Sequence, residues 1–335
     1  MHMRALLCTS PDGPESLRMG TLPDPVPGPG QVCIRVRACG VNYFDFLLIQ
    51  DQHHTRPPRP YAPGGEIAGV VDAVGAGVTF PLVGDNVVVG SLPYGGMAEK
   101  LVVDAAYCCP IPANMPFDVA AGYALTYGTA YYGLRTCGRL QLDETLLVLG
   151  AAGGVGLASV EIGKALGARV VAGASTQAKL DAALAHGADA GFVYPSGPFD
   201  DAGQKALALL FKGQCGASGA NVVCDPVGGA YSEAAVRSLA PDGRSLIVGF
   251  PAGIPKLPLN LVLLKACHVI GVFWGPWVWR NPQASRRNMD ELAQLYVSGA
   301  IRPQISKRFA FDAGDQAIAW IGARQAVGKA VVLID

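Results

Sequence analysis

Hydrophobic positions along the chain follow two regimes that change near residue 120. Over residues 1 to about 120, short β-branched runs recur, such as Val32-Cys33-Ile34-Arg35-Val36, Ile67-Ala68-Gly69-Val70-Val71 and Asn86-Val87-Val88-Val89. Glycine and proline separate them, most densely at Pro23-Asp24-Pro25-Val26-Pro27-Gly28-Pro29-Gly30. Short strands at this spacing predict a barrel or sandwich. From about 122 to 267, strand-like and helical segments alternate. Residues 145–150, 169–174, 220–225 and 245–250 read as strands, and 154–167 and 177–186 as helices. Such alternation predicts a parallel sheet with helices on both faces. After residue 268 the pattern is mixed, and His268 to Trp274 reads as a last strand of the parallel sheet.

Length and composition narrow this picture. The 335 residues suit two domains, and 50% hydrophobic content with 16% charged residues is enough apolar material for two cores. The 26 basic residues balance 26 acidic ones, so no global field exists to hold nucleic acid or an anionic membrane. Apolar runs are of strand length and none is long enough to cross a bilayer. The N-terminus enters a strand-like pattern without a long apolar segment or cleavage site, so no secretory signal is expected. Nine cysteines without regular spacing read as reduced thiols in a cytoplasmic protein, most of them serving as small buried hydrophobes.

The strongest local signal is Gly150-Ala151-Ala152-Gly153-Gly154-Val155-Gly156, between a predicted strand and a predicted helix. In that context it reads as a dinucleotide loop of the form A-x-G-x-x-G. Gly153 lets the backbone approach a pyrophosphate, and Gly156 lets the helix pack against the strand. Ala152, Gly154 and Val155 complete the helix N-terminus, whose free N–H groups and partial positive charge suit phosphate. A tight strand–helix turn without a ligand also uses glycine, so the context carries the reading. At the end of the next strand, an NAD site usually places an acidic residue on the ribose 2′-hydroxyl. Here the chain reads Gly173-Ala174-Ser175-Thr176-Gln177-Ala178-Lys179, with no carboxylate. NADPH is therefore the expected cofactor, with Ser175 and Lys179 toward the 2′-phosphate. The bland alternative for Lys179 is a solvated lysine at a helix start.

Several motifs extend over most of the chain: Ala38-Cys39-Gly40-Val41-Asn42-Tyr43-Phe44-Asp45, Pro63-Gly64-Gly65-Glu66-Ile67-Ala68-Gly69, Val83-Gly84-Asp85-Asn86-Val87, Gly95-Gly96-Met97-Ala98-Glu99 and Tyr127-Gly128-Thr129-Ala130. Their order and spacing resemble the medium-chain dehydrogenase/reductase superfamily. Asp225-Pro226-Val227-Gly228-Gly229 and Gly271-Val272-Phe273-Trp274-Gly275 resemble its zinc-free quinone oxidoreductase branch, which includes zeta-crystallin. The resemblance implies an α/β fold: a GroES-like β-barrel catalytic domain over 1–121 and 268–335, and a Rossmann cofactor domain with a doubly wound parallel sheet over 122–267. Zinc relatives hold their catalytic metal at positions matching Asn42, Gly65 and Ala121. None of these offers a thiolate or imidazole, so no metal site is expected. Residues 86–107 hold no cysteine for a structural zinc lobe. Adjacent His53 and His54 are poorly placed to converge on one metal.

The resemblance also assigns roles. Asn42 stands beside the nicotinamide and substrate, where its amide orients the cofactor carboxamide or the substrate oxygen; a turn asparagine is the alternative. Asp45 orients the Asn42 loop. Thr129 is expected near the nicotinamide, with a helix-start threonine as alternative. Tyr194 joins Ser175 and Lys179 at the 2′-phosphate, and Arg324 reaches the cofactor from the C-terminal segment. Gly249 and Phe250 end a strand at the crevice edge where open α/β sheets bind ligands. Phe273 opens an aromatic loop, Phe273 to Trp279, that either lines a pocket for a flat substrate or packs in a core or dimer interface. Several relatives carry a tyrosine where this chain has Leu47, which leaves the proton donor open.

The implied activity is hydride transfer from NADPH to a quinone or another α,β-unsaturated carbonyl. Two alternatives stand beside it: an enoyl-thioester reductase of acryloyl-CoA type, and a non-catalytic NADPH-holding crystallin-like protein. A homodimer through the 268–274 strand is expected, because that run carries no charge between Val269 and Trp274 to protect an exposed edge.

Overall fold

The computed structural model describes residues 2–324 and 326–334. The chain packs as two units. One comprises residues 1–128, 275–297 and 303–335; the other comprises 129–274 and 298–302. The sequence boundaries at 121 and 267 differ from this division. The strand His268–Gly271 pairs in parallel with Leu239–Ile247, matching Arg244 with His268 and Ile247 with Gly271. Backbone pairing therefore keeps residues 268–274 with the cofactor unit.

The second unit is a six-stranded, all-parallel sheet. Its spatial order is Ala190–Val193, Arg169–Ala174, Thr145–Val148, Ala220–Asp225, Leu239–Ile247, His268–Gly271. Counted along the chain this is 3-2-1-4-5-6, the doubly wound Rossmann order. The direction of winding reverses between the first and fourth strands, and the glycine loop leaves the first strand there. Helices Gly154–Ala165 and Gln177–Ala185 follow the first two strands, close to the expected bounds. Leu147, Leu149, Val171, Phe192, Phe211 and Val223 share one of the buried clusters beneath the sheet.

The first unit is a seven-stranded, mostly antiparallel sheet built around Gln31–Val41. That long strand pairs with Glu66–Val74, Lys100–Asp104 and Lys329–Leu333. Register shifts at Cys33/Ile34 and Val36/Ala38 let it curve toward all three. Leu6, Ile34, Val36, Ile67, Val89 and Met97 belong to its core. The aromatic run after Phe273 is a helix, Trp274–Arg280, and not a loop. Pro276 falls in its first turn, where a missing N–H and a fixed φ are tolerated.

Candidate active site

In the nucleotide unit, the chain turns away from the sheet immediately after Val148. Leu149 N–H donates to Cys224 O at 3.0 Å and Ala151 N–H to Gly173 O at 3.1 Å, pinning the exit to both neighbouring strands. Gly153 N–H then donates to Gly150 O at 2.9 Å, closing a tight turn, and the helix begins at Gly154. Its first internal bond is Leu157 N–H to Gly153 O at 2.8 Å. The N–H groups of Gly154, Val155 and Gly156 precede that bond and have no helical acceptor. Ala152 and Gly156 are buried below them, while Gly153, Gly154 and Val155 are half-buried.

Two glycines of this loop differ in what they do. A Cβ on Gly156 would lie 2.2 Å from Gly150 O and 2.8 Å from Ala151 C and Cα. That glycine is demanded by the fold itself. A Cβ on Gly153 would meet only Gly150 O, at 3.4 Å, an ordinary contact, and its φ of −73° suits any residue. Nothing in the described chain explains a glycine at 153. A pyrophosphate lying against the backbone would explain it, so the loop fits a dinucleotide.

Ser175 is exposed at the end of the second strand, and Thr176 caps the next helix by accepting Lys179 N–H at 3.3 Å. The first carboxylate after this strand is Asp181, which accepts from Gln177 Nε2 at 2.7 Å. Tyr194 N–H extends the sheet to Ala174 O at 3.0 Å. Its ring is buried against Phe192, Phe211 and Tyr231. Burial pushes the Tyr194 phenol up to about 12, against the Gly150 backbone, which draws it down. Tyr194 thus stands at the root of the glycine loop. Gly249 is half-buried, and a Cβ there would make only ordinary contacts, 3.7 Å to Pro226 O and 3.8 Å to Pro251 Cδ, while Phe250 is exposed. Phe273 is also exposed.

Sequence reasoning gave no role to Asp225, which is fully buried at the end of the fourth strand. Its Oδ1 accepts the N–H groups of Val227 and Gly228, both at 2.9 Å, and its Oδ2 accepts the Ser232 hydroxyl at 2.5 Å. It freezes the 226–229 turn, whose Val227 side chain bounds the space at Gly150.

In the barrel unit, Asn42 follows the last residue of the central strand and precedes the helix Tyr43–Leu48. Asp45 accepts Asn42 N–H on Oδ2 at 2.8 Å and Gly64 N–H on Oδ1 at 3.1 Å. It ties two loops together from a fully buried position. Burial raises its carboxyl to about 7, with the Asn42 and Gly64 N–H groups and the Lys329 charge pulling it back.

Flanking strands bring two charges to Asn42. Gly40 pairs with Glu66 on one side, and Val41 with Ala330 on the other, which sets Lys329 beside Asn42. Glu66 is 0% exposed, Lys329 5% and Asn42 8%. Lys329 Nζ donates to Asn42 Oδ1 at 2.6 Å, to Val41 O at 3.0 Å and to Glu66 Oε1. Asn42 Nδ2 donates to Glu66 Oε1 at 2.9 Å, and Leu125 N–H to Glu66 Oε2 at 2.9 Å. Gly40 clears room for this carboxylate: a Cβ there would lie 2.4 Å from Glu66 Oε1. Sequence reasoning missed Lys329. The available signal was a lysine opening the apolar strand run Lys329-Ala330-Val331-Val332-Leu333.

Arg324 donates to the Tyr43 hydroxyl at 2.9 Å and lies over its ring, 5.5 Å from the centroid. Thr129 is buried in the helix Phe117–Tyr131, one residue past the division between the units. The residues do not fit a catalytic zinc. A Cβ on Gly65 would lie 1.9 Å from Phe44 Cζ, so the Phe44 ring fills the space a ligand at 65 needs. Among the described residues no three His, Cys, Asp or Glu side chains gather as a metal site. The His53 and His54 rings have centroids 3.9 Å apart and are tilted by 43° to each other, and burial pushes His53 down to about 4.

Comparison with known proteins agrees with this construction. Residues 28–113 match the family model of the alcohol dehydrogenase GroES-like domain, and residues 154–294 that of the zinc-binding dehydrogenase. A quinone oxidoreductase-like protein 2 homolog from Nematostella vectensis is 36% identical over 308 residues, covering 91% of this chain and 82% of that protein. A quinone oxidoreductase from Pseudomonas aeruginosa is 32% identical, covering 96% of each chain. A mycobacterial protein solved in complex with NADPH superposes with a TM-score of 0.90 at 29% identity, over 99% of this chain and 100% of that one. Whole-length likeness at these identities, on a barrel unit and a 3-2-1-4-5-6 nucleotide sheet, shows that the chain belongs to the quinone oxidoreductase family of the medium-chain dehydrogenase/reductases.

Proposed function

We propose that the protein is an NADPH-dependent reductase that delivers hydride to a quinone or another α,β-unsaturated carbonyl without a metal. The carrying observation is Gly153, a glycine the chain does not need for its own packing, at the open first turn of a helix. Bound there, NADPH supplies the hydride: two electrons and one proton leave the cofactor for the acceptor. The acceptor then gains one further proton, which water can provide. The residues do the rest. The first-turn N–H groups hold the pyrophosphate, and Ser175 and Lys179 meet the 2′-phosphate. Asn42, held by Asp45, presents a neutral amide to the reacting carbonyl oxygen, where a preorganised donor stabilises developing charge.

Titration of NADPH and NADH, followed by turnover against quinones, enones and enoyl-CoA esters, tests this. NADPH is expected to bind more tightly, and Lys179→Ala to weaken NADPH by about 10- to 150-fold, the worth of one charge-assisted hydrogen bond. NADH binding should be unchanged by it. Preference for enoyl-CoA esters would establish the thioester reading. Binding without turnover of any acceptor would establish a cofactor-holding protein.

The dimer proposal has its own support. His268–Gly271 ends the sheet, and among the described residues no strand pairs with its outer edge. Beside it in sequence the helix Leu259–Lys265 exposes Leu259, Leu263 and Leu264. An apolar edge and patch of this kind invite a second copy. A cytoplasmic setting suits nine thiols that form no disulfide. Gly271→Lys should yield monomers by light scattering, since a Cβ at 271 has nothing within 4 Å among the described residues. Val272 is a poorer probe, because its N–H is bonded to Ile247 O at 2.9 Å. A wild type that is monomeric at micromolar concentration would refute the interface.

A further inference from the structure

The buried lysine next to Asn42 has chemistry beyond tying strands together. An ammonium has three donors and no acceptor capacity. All three donors of Lys329 are committed, to Val41 O, Asn42 Oδ1 and Glu66 Oε1. Its head group is therefore fixed. A carboxylate can only accept, and Glu66 Oε1 accepts from Asn42 Nδ2 at 2.9 Å. These two partners settle the orientation of the Asn42 amide by chemistry alone. Its oxygen must face the lysine and its nitrogen the glutamate. A flipped amide would set an NH₂ group against an ammonium and an oxygen against a carboxylate.

One proton of Nδ2 goes to Glu66. The other has no hydrogen-bond partner among the described residues, and Asn42 is the least enclosed member of the trio. A cation bound to an amide oxygen draws electron density from the amide, making its N–H groups better donors. In a low-dielectric setting such chains of hydrogen bonds reinforce one another.

We propose that Lys329 is a positioning residue which, by binding Asn42 Oδ1, orients and polarises the Asn42 amide so that its uncommitted Nδ2 proton is the donor for the oxyanion forming on the reduced carbonyl substrate. The proposal rests on the reading of Asn42 as the residue that meets the substrate oxygen. It deepens that reading in one respect: Asn42 acts toward the reacting oxygen as a donor, with its own oxygen withdrawn by the lysine.

The test uses the full chain with Lys329→Met and Glu66→Gln together. Removing both charges avoids leaving either one buried and alone. Three measurements are made: melting temperature, NADPH affinity by fluorescence, and turnover against a series of quinones of falling reduction potential. NADPH affinity should stay within about threefold, while kcat falls about 10- to 100-fold, below the 10²- to 10³-fold cost of deleting an oxyanion donor outright. The loss should grow along the series, because the more basic the product oxygen, the more it gains from a polarised donor. A structural defect would slow every acceptor alike.

A second readout needs no activity. In cofactor-free protein with ¹⁵N-labelled asparagine, the Asn42 side-chain amide protons should lie downfield of ordinary amides. They should move toward ordinary values in the double variant. Lys329→Arg keeps the buried cation and serves if the double variant does not fold; a smaller change in the same resonance and in kcat is expected. An Asn42 resonance that neither substitution moves would overturn the proposal, as would a folded double variant with wild-type kcat or a uniform loss across the series. A wild type inactive toward every acceptor would sink the functional reading instead, and the cofactor-free resonance would still decide the role of Lys329.

Discussion

The two units treat charge in opposite ways. In the nucleotide unit, the glycine loop offers only partial charges: first-turn backbone N–H groups with no helical acceptor, on residues that are half-buried or sit just below the surface. In the barrel unit, a full carboxylate and a full ammonium lie at 0% and 5% exposure, bonded to each other and to Asn42. On the proposed reading the loop depends on what is missing, a Cβ at 153. The trio depends on every member being present. A dipolar site that water can still reach tolerates small changes, because solvent compensates each lost bond. A buried ion pair has no such compensation, since desolvation has already been spent on both partners.

The sharpest way to break this contrast is Glu66→Ala. It leaves the Lys329 ammonium buried without its bonded carboxylate and takes the Glu66 acceptor away from Leu125 N–H. Breaking a buried pair on one side costs about 3–5 kcal/mol. Urea unfolding should show that loss, whereas Ser175→Ala, at an exposed position of the nucleotide unit, should leave the midpoint nearly unmoved. Equal midpoints for Glu66→Ala and wild type would mean that water enters the trio and that the contrast is false.

A second effect is pH dependence in the barrel unit. The Asp45 carboxyl titrates near 7 in the folded chain because burial outweighs its two N–H bonds and Lys329. Unfolded, it titrates near its ordinary value of 3.8. Between these values the folded state binds more protons than the unfolded one, so stability falls as pH rises. The extra stability is complete below about pH 4 and gone once pH passes about 7, and the span from 3.8 to about 7 bounds it at about 4 kcal/mol. Other carboxylates act in the opposite sense over the acid part of this range, so the comparison with Asp45→Asn isolates the contribution. Thermal melts from pH 5 to 8 should fall more steeply in wild type than in Asp45→Asn. Parallel curves would remove Asp45 as their source.

The difference between the units also governs how much was legible in the sequence. The glycine loop is seven consecutive residues, and its strand and helix follow from local periodicity alone. The missing acid after the second strand is equally local. The trio is not local. Glu66 lies 24 residues from Asn42 and Lys329 lies 287 away, and only strand pairing brings them together. Resemblance pointed to Asn42 and Asp45, but nothing in the neighbourhood of residue 329 announces a partner for them. The Phe273–Trp279 segment was misread as a loop for a related reason. Pro276 looks like a breaker in a string, and only the register of the helix shows it to be in the first turn.

The finest probe stays inside one loop and compares its two glycines. Gly156→Ala places a methyl 2.2 Å from Gly150 O, a backbone atom that cannot swing aside. The helix must move off the strand, at a cost of about 1–3 kcal/mol typical of overpacking. Gly153→Ala meets only an ordinary 3.4 Å contact at a φ any residue adopts. Two small terms then oppose each other. Alanine is worse than glycine as a helix N-cap, by about 0.5–1 kcal/mol. It also reduces the freedom of the unfolded chain, which stabilises by about 0.4–1 kcal/mol. Their sum is close to zero, so the melting temperature of Gly153→Ala should match wild type. On the proposed reading, in which the pyrophosphate approaches the backbone at 153, NADPH affinity should nevertheless fall at least about tenfold, and tenfold corresponds to only about 1.4 kcal/mol. Calorimetry and cofactor titration on both variants decide the matter. If Gly153→Ala binds NADPH as wild type does, the phosphates lie elsewhere and the open space above residue 153 has no bearing on cofactor binding.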